Sequence, residues 1–450
     1  MAVGVITDLT LGNMLKIVSK NGVANNLSED SAVWENILKQ HVEGDSKGRE
    51  LRYLIRTALG SAAVGPIAVD GGQYKTGSQA TISEATAQWK DFSATIEVEE
   101  TLIKKASQDF DSYGQPLVDE LDIKVIALSR ILSASIFGDG TGVIGQALDA
   151  GTVTSNETIF NFDTSDTARG FIGWVEEGDE FHTIQTDGTD RTPTLSSGTY
   201  SHYVAENVDR DNAQVTLRAK NTSGTNLDVT ATNLVAGDYL VRGRTADTFQ
   251  DLSSIGTTDY NDLSHYFTGL DSLSQDDSRV VNGITLTGNA AGSRQDESGN
   301  PIDSQAFQKL MSKLQRRAGK GRYAYNQALM SYETYDSLIE SREVDRRFQS
   351  VQDDKRGVAG MAYVHMKNQV MFEPDEFCPK KRIYVIPNKG VLQYHGTDFD
   401  FVSPNGNDKF HLRPNGTNAG YDRVVQAFMA GSGALISTHN AGIGCIHNFT

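Results

Sequence analysis

The sequence predicts an α+β fold built around one long helix, with an extended hairpin before the helix and a large β-rich segment after it. Three observations predict this arrangement. An apolar stripe at helical spacing runs through residues 116–137, a small, polar, glycine-rich stretch precedes it, and short alternating stretches separated by Gly, Asp and Asn follow it. The chain has 450 residues, of which 38% are hydrophobic and 22% charged, so we expect most of it to be globular.

The long helix is predicted from Pro116 to Phe137. Proline is tolerated in a first helical turn, where its missing N–H needs no partner, and Gly138 offers a stop. Acidic residues in the opening turns suit the positive end of the helix dipole. The inward face is a stripe at steps of three and four residues, formed by Leu117, Leu121, Val125, Leu128, Leu132 and Ile136.

Two short helices and an ambiguous segment are predicted before the hairpin. The first helix spans residues 10–20. The second starts at Ser28, a residue type that caps helices, and continues to Val42. Residues 50–57 fit both a helix and a strand, and their alternation favours a strand. The N-terminus lacks the basic start and compact apolar core of a signal peptide, so none is expected.

The stretch from Gly60 to Trp89 predicts a two-stranded arm that projects from the body. It is small, polar and weakly hydrophobic, and Asp70-Gly71-Gly72 is typical of a hairpin turn. Residues 92–98 alternate like a strand that returns to the body. Because a lone hairpin is only marginally stable in water, we expect the arm to lie on another surface.

Residues 151–290 form an acidic, β-rich segment. Their alternating stretches predict a β-barrel or a sandwich, and residues 208–219 (VDRDNAQVTLRA) predict a hairpin with an Asp-Asn turn. The segment has 21 acidic and 8 basic residues and so carries −13 of the chain's net charge of −17. Because negative charge repels phosphate, the segment is not expected to bind nucleic acid.

The C-terminal part predicts two helices, an exposed loop and several strands. Asp303 is the predicted N-cap of a helix that ends at Ala318, and a second helix spans residues 332–341. Residues 341–357 carry mixed charges and predict an exposed loop. The predicted strands are 323–330, 360–365, 369–372, 382–386, 391–395 and 424–429.

Two motif matches are interpreted as local backbone features. Residues 140–145 (GTGVIG) have the letters of a dinucleotide fingerprint, but that motif follows a strand and opens a helix, whereas here a helix enters it. Its glycines are therefore predicted to form a tight chain reversal. Residues 109–120 space acids and glycine as a calcium loop does, but Tyr113 and Pro116 do not fit that loop, which favours an ordinary turn and helix start.

The sequence contains no pattern of catalytic or metal-ligating residues. The nine histidines are scattered, and Cys378 and Cys445 form no metal-type pair, which also excludes a disulfide framework and fits a reducing compartment. We therefore predict that the protein is not an enzyme and uses no cofactor or metal. No apolar run is long enough to cross a membrane. One basic helix face is interpreted as a subunit contact or a solvated face, with pairing to an acidic neighbour as the alternative: Lys309, Lys313, Arg316 and Arg317.

The predicted order of elements resembles that of the major capsid proteins of tailed bacteriophages, which have the Hong Kong 97 fold. The phrases that carry the resemblance, over about 310 residues, are FGDGTGVIGQA after the helix, RRFQSVQDDKRGVAG and QVMFEPDEFCPKKRIYVIPNKGVLQYHG. The resemblance implies five parts. They are an N-terminal arm (1–59), an E-loop hairpin (60–98), a peripheral domain with the spine helix (99–150), an acidic β-rich insertion domain (151–290), and an axial domain with returning peripheral-domain strands (291–450).

The resemblance implies that the protein builds a shell. The chain is expected to assemble as hexamers and pentamers into an icosahedral phage head that encloses double-stranded DNA without sequence-specific binding. A portal and decoration proteins are expected partners. The chain lacks the long charged N-terminal segment that some members use as a scaffold, which implies either a separate scaffolding protein or assembly without one. The expected location is the virion, after assembly in the host cytoplasm, with no membrane association.

Six residues are predicted to contact neighbouring subunits because of their place in the arm or in the exposed loop: Tyr74, Lys75, Trp89, Arg342, Arg346 and Arg347. Some family members link subunits through a lysine isopeptide bond. Lys75 lies in the part of the arm where such a lysine is expected, but no matching Asn and acid can be assigned.

Two alternatives remain open from the sequence. An encapsulin-like nanocompartment has the same fold and encloses an enzyme cargo in place of DNA. A glycan-binding β-rich surface or fibre protein is the second alternative, and it rests on the 151–290 segment alone.

Overall fold

The structure is a computed structural model of the chain. It describes residues 32–33, 37–41, 50–58, 81–99, 116–165, 168–185, 189–242, 266–276, 279–282, 284–286, 291–318, 324–343, 362–365, 368–387, 391–396, 400–402, 411–414 and 421–449. Within these ranges the protein has a mixed α+β fold that is rich in sheets and has few helices. The helix predicted at 10–20, the predicted hairpin turn, residues 109–115 and most of the predicted 341–357 loop lie outside the described residues.

The first part of the chain supplies a two-stranded arm, a long strand and a long helix. Strands β2 and β3 pair antiparallel, with Leu51 opposite Ala87 and Tyr53 opposite Ala85. The strand interpretation of residues 50–57 is therefore confirmed. The elements are β1 (Leu38–His41), β2 (Glu50–Ala58), β3 (Thr81–Gln88), β4 (Lys90–Glu99) and α1 (Pro116–Phe137).

Helix α1 has the bounds that its proline and apolar stripe predict. It is 22 residues long, or roughly 33 Å. Val125, Leu128, Leu132 and Ile136 of the stripe are all buried in the main core. The helix packs against β4, so the strand that leaves the arm and the long helix share this core.

The helix predicted from Ser28 to Val42 is wrong over its last part, because Leu38–His41 form strand β1. This strand pairs in parallel with residues 393–396, more than 350 positions along the chain. Its backbone hydrogen bonds are made with a distant segment, so the pattern of apolar residues within 28–42 could not predict the strand.

Residues 143–242 form a β-barrel, here called the barrel. Seven antiparallel strands pair in the order β5-β13-β8-β10-β11-β7-β6, and β9 and β12 form a separate pair. The N–H of Leu148 donates to the carbonyl of Asn161 at 2.9 Å, and that of Asp163 to Gln146 at 2.7 Å, which joins β7 back to β5 and closes the sheet. The strands are β5 (Val143–Gln146), β6 (Thr152–Thr154), β7 (Glu157–Asn161), β8 (Glu180–Ile184), β9 (Thr194–Leu195), β10 (His202–Asp209), β11 (Gln214–Lys220), β12 (Val229–Ala231) and β13 (Tyr239–Arg242).

The barrel follows directly from the sequence pattern of its strands. β10 and β11 form the predicted hairpin, and Asp209 accepts hydrogen bonds from the backbone and side chain of Asn212 at 3.1 and 2.7 Å in its turn. Alternate residues of β11 point inward and are buried, which is the period of two expected for a strand with one solvated face. The first and last strands, β5 and β13, are neighbours, so the chain enters and leaves the barrel at one place.

Among the described residues, the remainder of the chain forms three α-helices, a separate two-stranded pair, one six-stranded sheet of its own, and four strands of a second six-stranded sheet that also contains β1 and β4. The elements are α2 (Leu270–Leu273), β14 (Arg279–Val281), β15 (Ile284–Leu286), β16 (Ser293–Asp296), α3 (Ser304–Ala318), β17 (Tyr325–Met330), α4 (Tyr332–Glu343), β18 (Ala362–His365), β19 (Asn368–Pro374), β20 (Arg382–Pro387), β21 (Leu392–Gly396), β22 (Asp400–Val402), β23 (His411–Pro414), β24 (Tyr421–Ser437) and β25 (Gly444–His447). Each C-terminal strand and helix predicted from the sequence overlaps one of these elements.

The first sheet, here called the helix-backed sheet, has the order β16-β25-β20-β17-β19-β18. Helices α3 and α4 cover one face, where Phe307, Leu310 and Leu314 of α3 pack on buried strand residues such as Val385 and Ile446. The second sheet, the β24 sheet, is organised by the 17-residue strand β24, which pairs with β4, β21, β22 and β23. Strand β4 therefore carries the chain from the arm into the body.

We predict that removing the cap of α3 destabilises the helix-backed sheet. The Ala306 N–H donates to Asp303 Oδ1 at 2.8 Å, as the sequence predicted. Asp303→Ala leaves that N–H without its side-chain acceptor and should lower the free energy of unfolding by about 1 kcal/mol in urea denaturation. Asp303→Asn retains an acceptor and should stay close to the wild type. Equal losses in the two variants would contradict the capping role.

Candidate intersubunit surface

Of the six predicted contact residues, Trp89 is the one whose side chain the structure describes. Tyr74 and Lys75 belong to residues 59–80, and Arg346 and Arg347 to residues 344–361, all outside the described ranges. The backbone of Arg342 lies in α4, but its side chain is outside the description. For these residues the intersubunit role stays a prediction.

Trp89 lies at the root of the arm. It joins β3 to β4 and is half-buried, packed with Leu51 and Tyr53 on a small cluster of buried residues that includes Ala87 and Ile436. Its ring therefore anchors the arm to β24, and its accessible part lies where the arm leaves the body.

The outer face of the arm carries an exposed apolar residue. Leu54 is 73% exposed, although its neighbour Tyr53 packs inward. Across the pair, Arg52 and Glu84 form an exposed ion pair at 3.4 Å. Such a pair contributes little to stability in water. The face therefore combines an exposed leucine with an exposed ion pair.

The glycine turn after α1 has the role in chain reversal that the sequence predicted. Gly140 has a φ of +88°, a conformation that glycine adopts without steric cost. The N–H of Thr141 donates to Asp139 Oδ1 at 2.9 Å, and Arg169 of the barrel contacts Asp139 Oδ2 at 3.2 Å. Strand β5 leaves the turn, whereas a dinucleotide site needs a helix there. The turn thus redirects the chain from α1 into the barrel.

A second junction joins α1, the barrel and the helix-backed sheet. The Trp174 Nε1–H donates to the carbonyl of Phe377 at 2.8 Å, and the indole is buried. Arg130 of α1 lies over the Phe377 ring, with its guanidinium carbon 5.4 Å from the ring centroid. Arg130 also pairs with Glu376 at 2.8 Å and with Glu176 of the barrel. One arginine therefore contacts both elements that border the long helix.

A buried charge cluster lies where α2 meets the helix-backed sheet. The Asp271 carboxylate pairs with Arg382 at 2.9 Å and with Arg294 at 3.4 Å, and each of the three side chains is at most 15% exposed. Arg382 also donates to the carbonyl of Ala168 in the barrel at 3.3 Å. Burial raises the pKa of the neighbouring Tyr384 phenol well above its usual value, and the Asp271 carboxylate raises it further.

The basic face of α3 pairs with acids of its own chain. Lys313 contacts Asp276 at 2.6 Å, and Lys309 contacts the buried Glu297 at 3.6 Å. Arg317 donates to the backbone carbonyl of Gly292. The acidic-neighbour alternative is therefore confirmed for the two lysines, which reduces the charge that this face offers to another subunit.

Sequence reasoning missed the buried charge cluster and the Trp174 junction. Arg382 stood in the sequence as one cation of the basic run 380–382, directly before an apolar strand. Its burial depends on Asp271, more than 100 positions away, and only the folded chain brings the two together. Trp174 was visible as an isolated indole, a side chain that finds a hydrogen-bond partner when buried.

Among the described residues, no group of three or more His, Cys, Asp or Glu side chains could hold a metal ion. None of the described helices is long and apolar enough to span a membrane.

No model of a known protein family matches the sequence, and no curated protein sequence matches it. The chain is similar to several solved structures. The capsid asymmetric unit of cyanophage A-1(L) is 11% identical with a TM-score of 0.45, and the match covers 92% of this chain and 91% of that chain. A structure of Mycobacterium phage Adephagia is 9% identical with a TM-score of 0.44, and covers 93% and 90%.

A third similar structure is the holo-SrpI encapsulin complex from Synechococcus elongatus. It is 7% identical with a TM-score of 0.38, and the match covers 92% of this chain and 85% of that chain.

We predict that breaking the buried charge cluster is far more costly than breaking the exposed pair on the arm. Asp271→Asn removes the counter-charge of Arg382 at 2.9 Å and of Arg294 at 3.4 Å in a buried site, and should lower the free energy of unfolding by about 3–5 kcal/mol. Glu84→Gln removes the 3.4 Å pair with Arg52 at the surface, and should cost less than about 1 kcal/mol. Urea denaturation of both variants checks this, and similar costs would contradict the assignment of a stabilising cluster.

We predict that Tyr384 makes the protein less stable in alkali. Burial raises its pKa in the folded state well above the usual value of a tyrosine phenol. The stabilising effect is therefore complete below about pH 10 and is lost as pH rises towards the folded-state value, because the unfolded chain releases the phenol proton first. Tyr384→Phe should make the decline of stability above about pH 10 shallower.

Urea midpoints measured over the alkaline range provide the comparison. Asp303→Ala serves as the control, since it destabilises the protein without removing a phenol. An unchanged alkaline slope in Tyr384→Phe would contradict the prediction.

Proposed function

We propose that the chain is the major capsid protein of a tailed bacteriophage and assembles into the icosahedral head shell that encloses double-stranded DNA. The observation that carries the proposal is the β2–β3 arm, which presents Leu54 at 73% exposure on the face opposite its anchored side. An arm of this kind gains stability by lying on another subunit. The order of arm, long helix, glycine turn and sheets, which resembles that of capsid proteins, supports the same reading.

The proposal includes the five parts that the resemblance implies. Residues 1–59 serve as the N-terminal arm and 60–98 as the E-loop, although the paired strands of the hairpin start at Glu50. Residues 99–150 provide the spine helix α1. The segment 151–290 is the insertion domain, and 291–450 supply the axial domain and the returning strands.

A shell of identical chains uses many contacts of modest strength. Head-to-tail contacts between identical subunits form a closed ring when the rotation from one subunit to the next adds up to a full turn. In the proposed shell these rings are the hexamers and pentamers. Because many contacts act together, each can be weak without loss of the assembly. The proposed partners are the portal, a separate scaffolding protein and decoration proteins. The proposed location is the virion, after assembly in the host cytoplasm. No enzymatic activity is assigned.

Electron microscopy of the purified protein tests the proposal directly. We expect closed icosahedral shells, or capsomers that convert into them when a scaffolding protein is present. Shells from infected cells should contain nuclease-protected double-stranded DNA. Shells that hold a co-purified enzyme in place of DNA would support the encapsulin alternative. A monomer that stays compact under all assembly conditions, and occurs in no particle, would overturn both.

We predict that the exposed leucine of the arm is needed for assembly but not for folding. Leu54→Asp places a charge where the proposal puts a neighbouring subunit, and should reduce the yield of shells by at least about tenfold, because the same weakened contact is repeated throughout the shell. The unfolding free energy of the isolated subunit should change by less than about 0.5 kcal/mol, since the side chain is solvated.

Leu148→Asp is the matched control, because Leu148 is 56% exposed on the barrel, away from the arm. Sedimentation and electron microscopy count the shells of both variants. Equal shell yields for Leu54→Asp and the wild type would show that this face of the arm is not an intersubunit contact.

A further inference from the structure

The root of the arm is tied to the body by one residue of a second, smaller hairpin. Strands β14 and β15 pair antiparallel, and Asn282 lies in the turn between them. Its backbone carbonyl accepts a hydrogen bond from the Thr86 N–H of β3 at 2.9 Å. Its side-chain Nδ2 donates to the Tyr53 hydroxyl of β2 at 2.5 Å. Asn282 therefore contacts both strands of the arm.

The small hairpin is a rigid support for these two bonds. Val281 and Ile284, on either side of the turn, are 5% and 6% exposed and belong to the main core. Asn282 itself is 2% exposed and has a φ of +54°, a conformation that asparagine tolerates better than most residues. The position of its amide is thus fixed by the backbone turn and by the core around it.

Hydrogen bonds within the turn do not account for an asparagine side chain at position 282. Its Oδ1 is buried and has no hydrogen-bond partner among the described residues. A buried acceptor without a partner destabilises a protein, so glycine would satisfy this turn at a lower cost. The contact that distinguishes asparagine from glycine here is the bond to Tyr53.

The bond between Asn282 and Tyr53 lies at the root of the arm, where a restraint has the largest effect on the direction of the arm. Tyr53 is in the first half of β2, close to where the arm leaves the body, and the nine residues of β2 span roughly 30 Å. A small rotation at the root moves the far end of the arm by a much larger distance. The two bonds from Asn282 oppose that rotation on both strands.

We propose that Asn282 is a positioning residue that fixes the direction in which the arm leaves the body, and through it the geometry of subunit contacts in the shell. The effect on assembly rests on the proposed function. The tie itself is a property of the single subunit and is measured without assembly.

The first experiment measures amide hydrogen exchange of the unassembled protein. Asn282→Gly retains the backbone acceptor for Thr86 and the left-handed turn, and removes only the side-chain bond. We expect amides of residues 50–58 and 81–88 to exchange about fivefold faster in this variant. Tyr53→Phe removes the other end of the same bond and should have the same effect. The effects of the two substitutions should be less than additive in the double variant, because both remove the same hydrogen bond.

Asn233→Gly is the matched control. Asn233 also has a left-handed backbone, with a φ of +55°, and its Nδ2 donates to the Thr192 carbonyl at 2.8 Å. It lies in the barrel, so its replacement should leave exchange in the arm unchanged. If Asn282→Gly does not fold, Tyr53→Phe alone decides, since its backbone demands are those of the wild type.

The second experiment compares the particles that the variants form. A residue that only stabilises the subunit changes the amount of shell, whereas a positioning residue changes its form. We expect Asn282→Gly and Tyr53→Phe to give a broader distribution of particle diameters than the wild type and Asn233→Gly under the same conditions. Electron microscopy measures the diameters.

The outcomes separate this inference from the proposed function. Unchanged arm exchange in Asn282→Gly and Tyr53→Phe would overturn the tie. Faster exchange with particles of unaltered diameter would overturn the positioning role while the proposed function stands. If the wild type forms no particles, the proposed function and the assembly part of the inference both fail, and the exchange data still decide whether Asn282 restrains the arm.

Discussion

The fold depends on the Asp271 carboxylate, which holds two buried arginines in one place. Arg382 belongs to β20, Arg294 to β16 and Asp271 to α2, so the pairs at 2.9 and 3.4 Å join the centre and edge of the helix-backed sheet to the chain that leads into it. Through the carbonyl of Ala168, Arg382 also reaches the barrel. Removing the carboxylate would leave two guanidinium groups buried without a counter-charge, which is energetically costly. The carboxylate therefore holds these parts of the fold together.

Polar ties at junctions recur throughout the molecule. The Trp174 indole bonds to the Phe377 carbonyl where the barrel meets the helix-backed sheet, and Arg130 brings α1 to the same point. Apolar packing inside each part tolerates sliding, because it has little directional preference. The 2.8 Å hydrogen bond from the Trp174 indole to the Phe377 carbonyl does not tolerate sliding, because its energy falls steeply as the donor–hydrogen–acceptor angle departs from linear. The parts are thus held in register by a few directional contacts laid over a shared apolar core.

The sequence predicted the elements whose signals are local. The stripe and proline of α1, the cap at Asp303 and the alternation of β11 each report a structure formed within a short stretch. The prediction failed at β1, whose partner β21 lies at the other end of the chain. The contacts of the arm root were invisible for the same reason, because Tyr53 and Asn282 are separated by 229 positions. The contact residues Tyr74, Lys75, Arg346 and Arg347 stay predictions.

The proposed assembly requires a chain that stays folded before its intersubunit contacts form, and two features of this chain agree with that requirement. Its tight packing is concentrated in the body, so the free energy of folding does not depend on covering Leu54. Net negative charge opposes indiscriminate association of subunits, and most of it lies in the segment 151–290. In the proposed shell, an exposed leucine on an arm whose root is held in place would be a directional contact, because charge repulsion disfavours most approaches and the direction of the arm selects the approach that Leu54 can make.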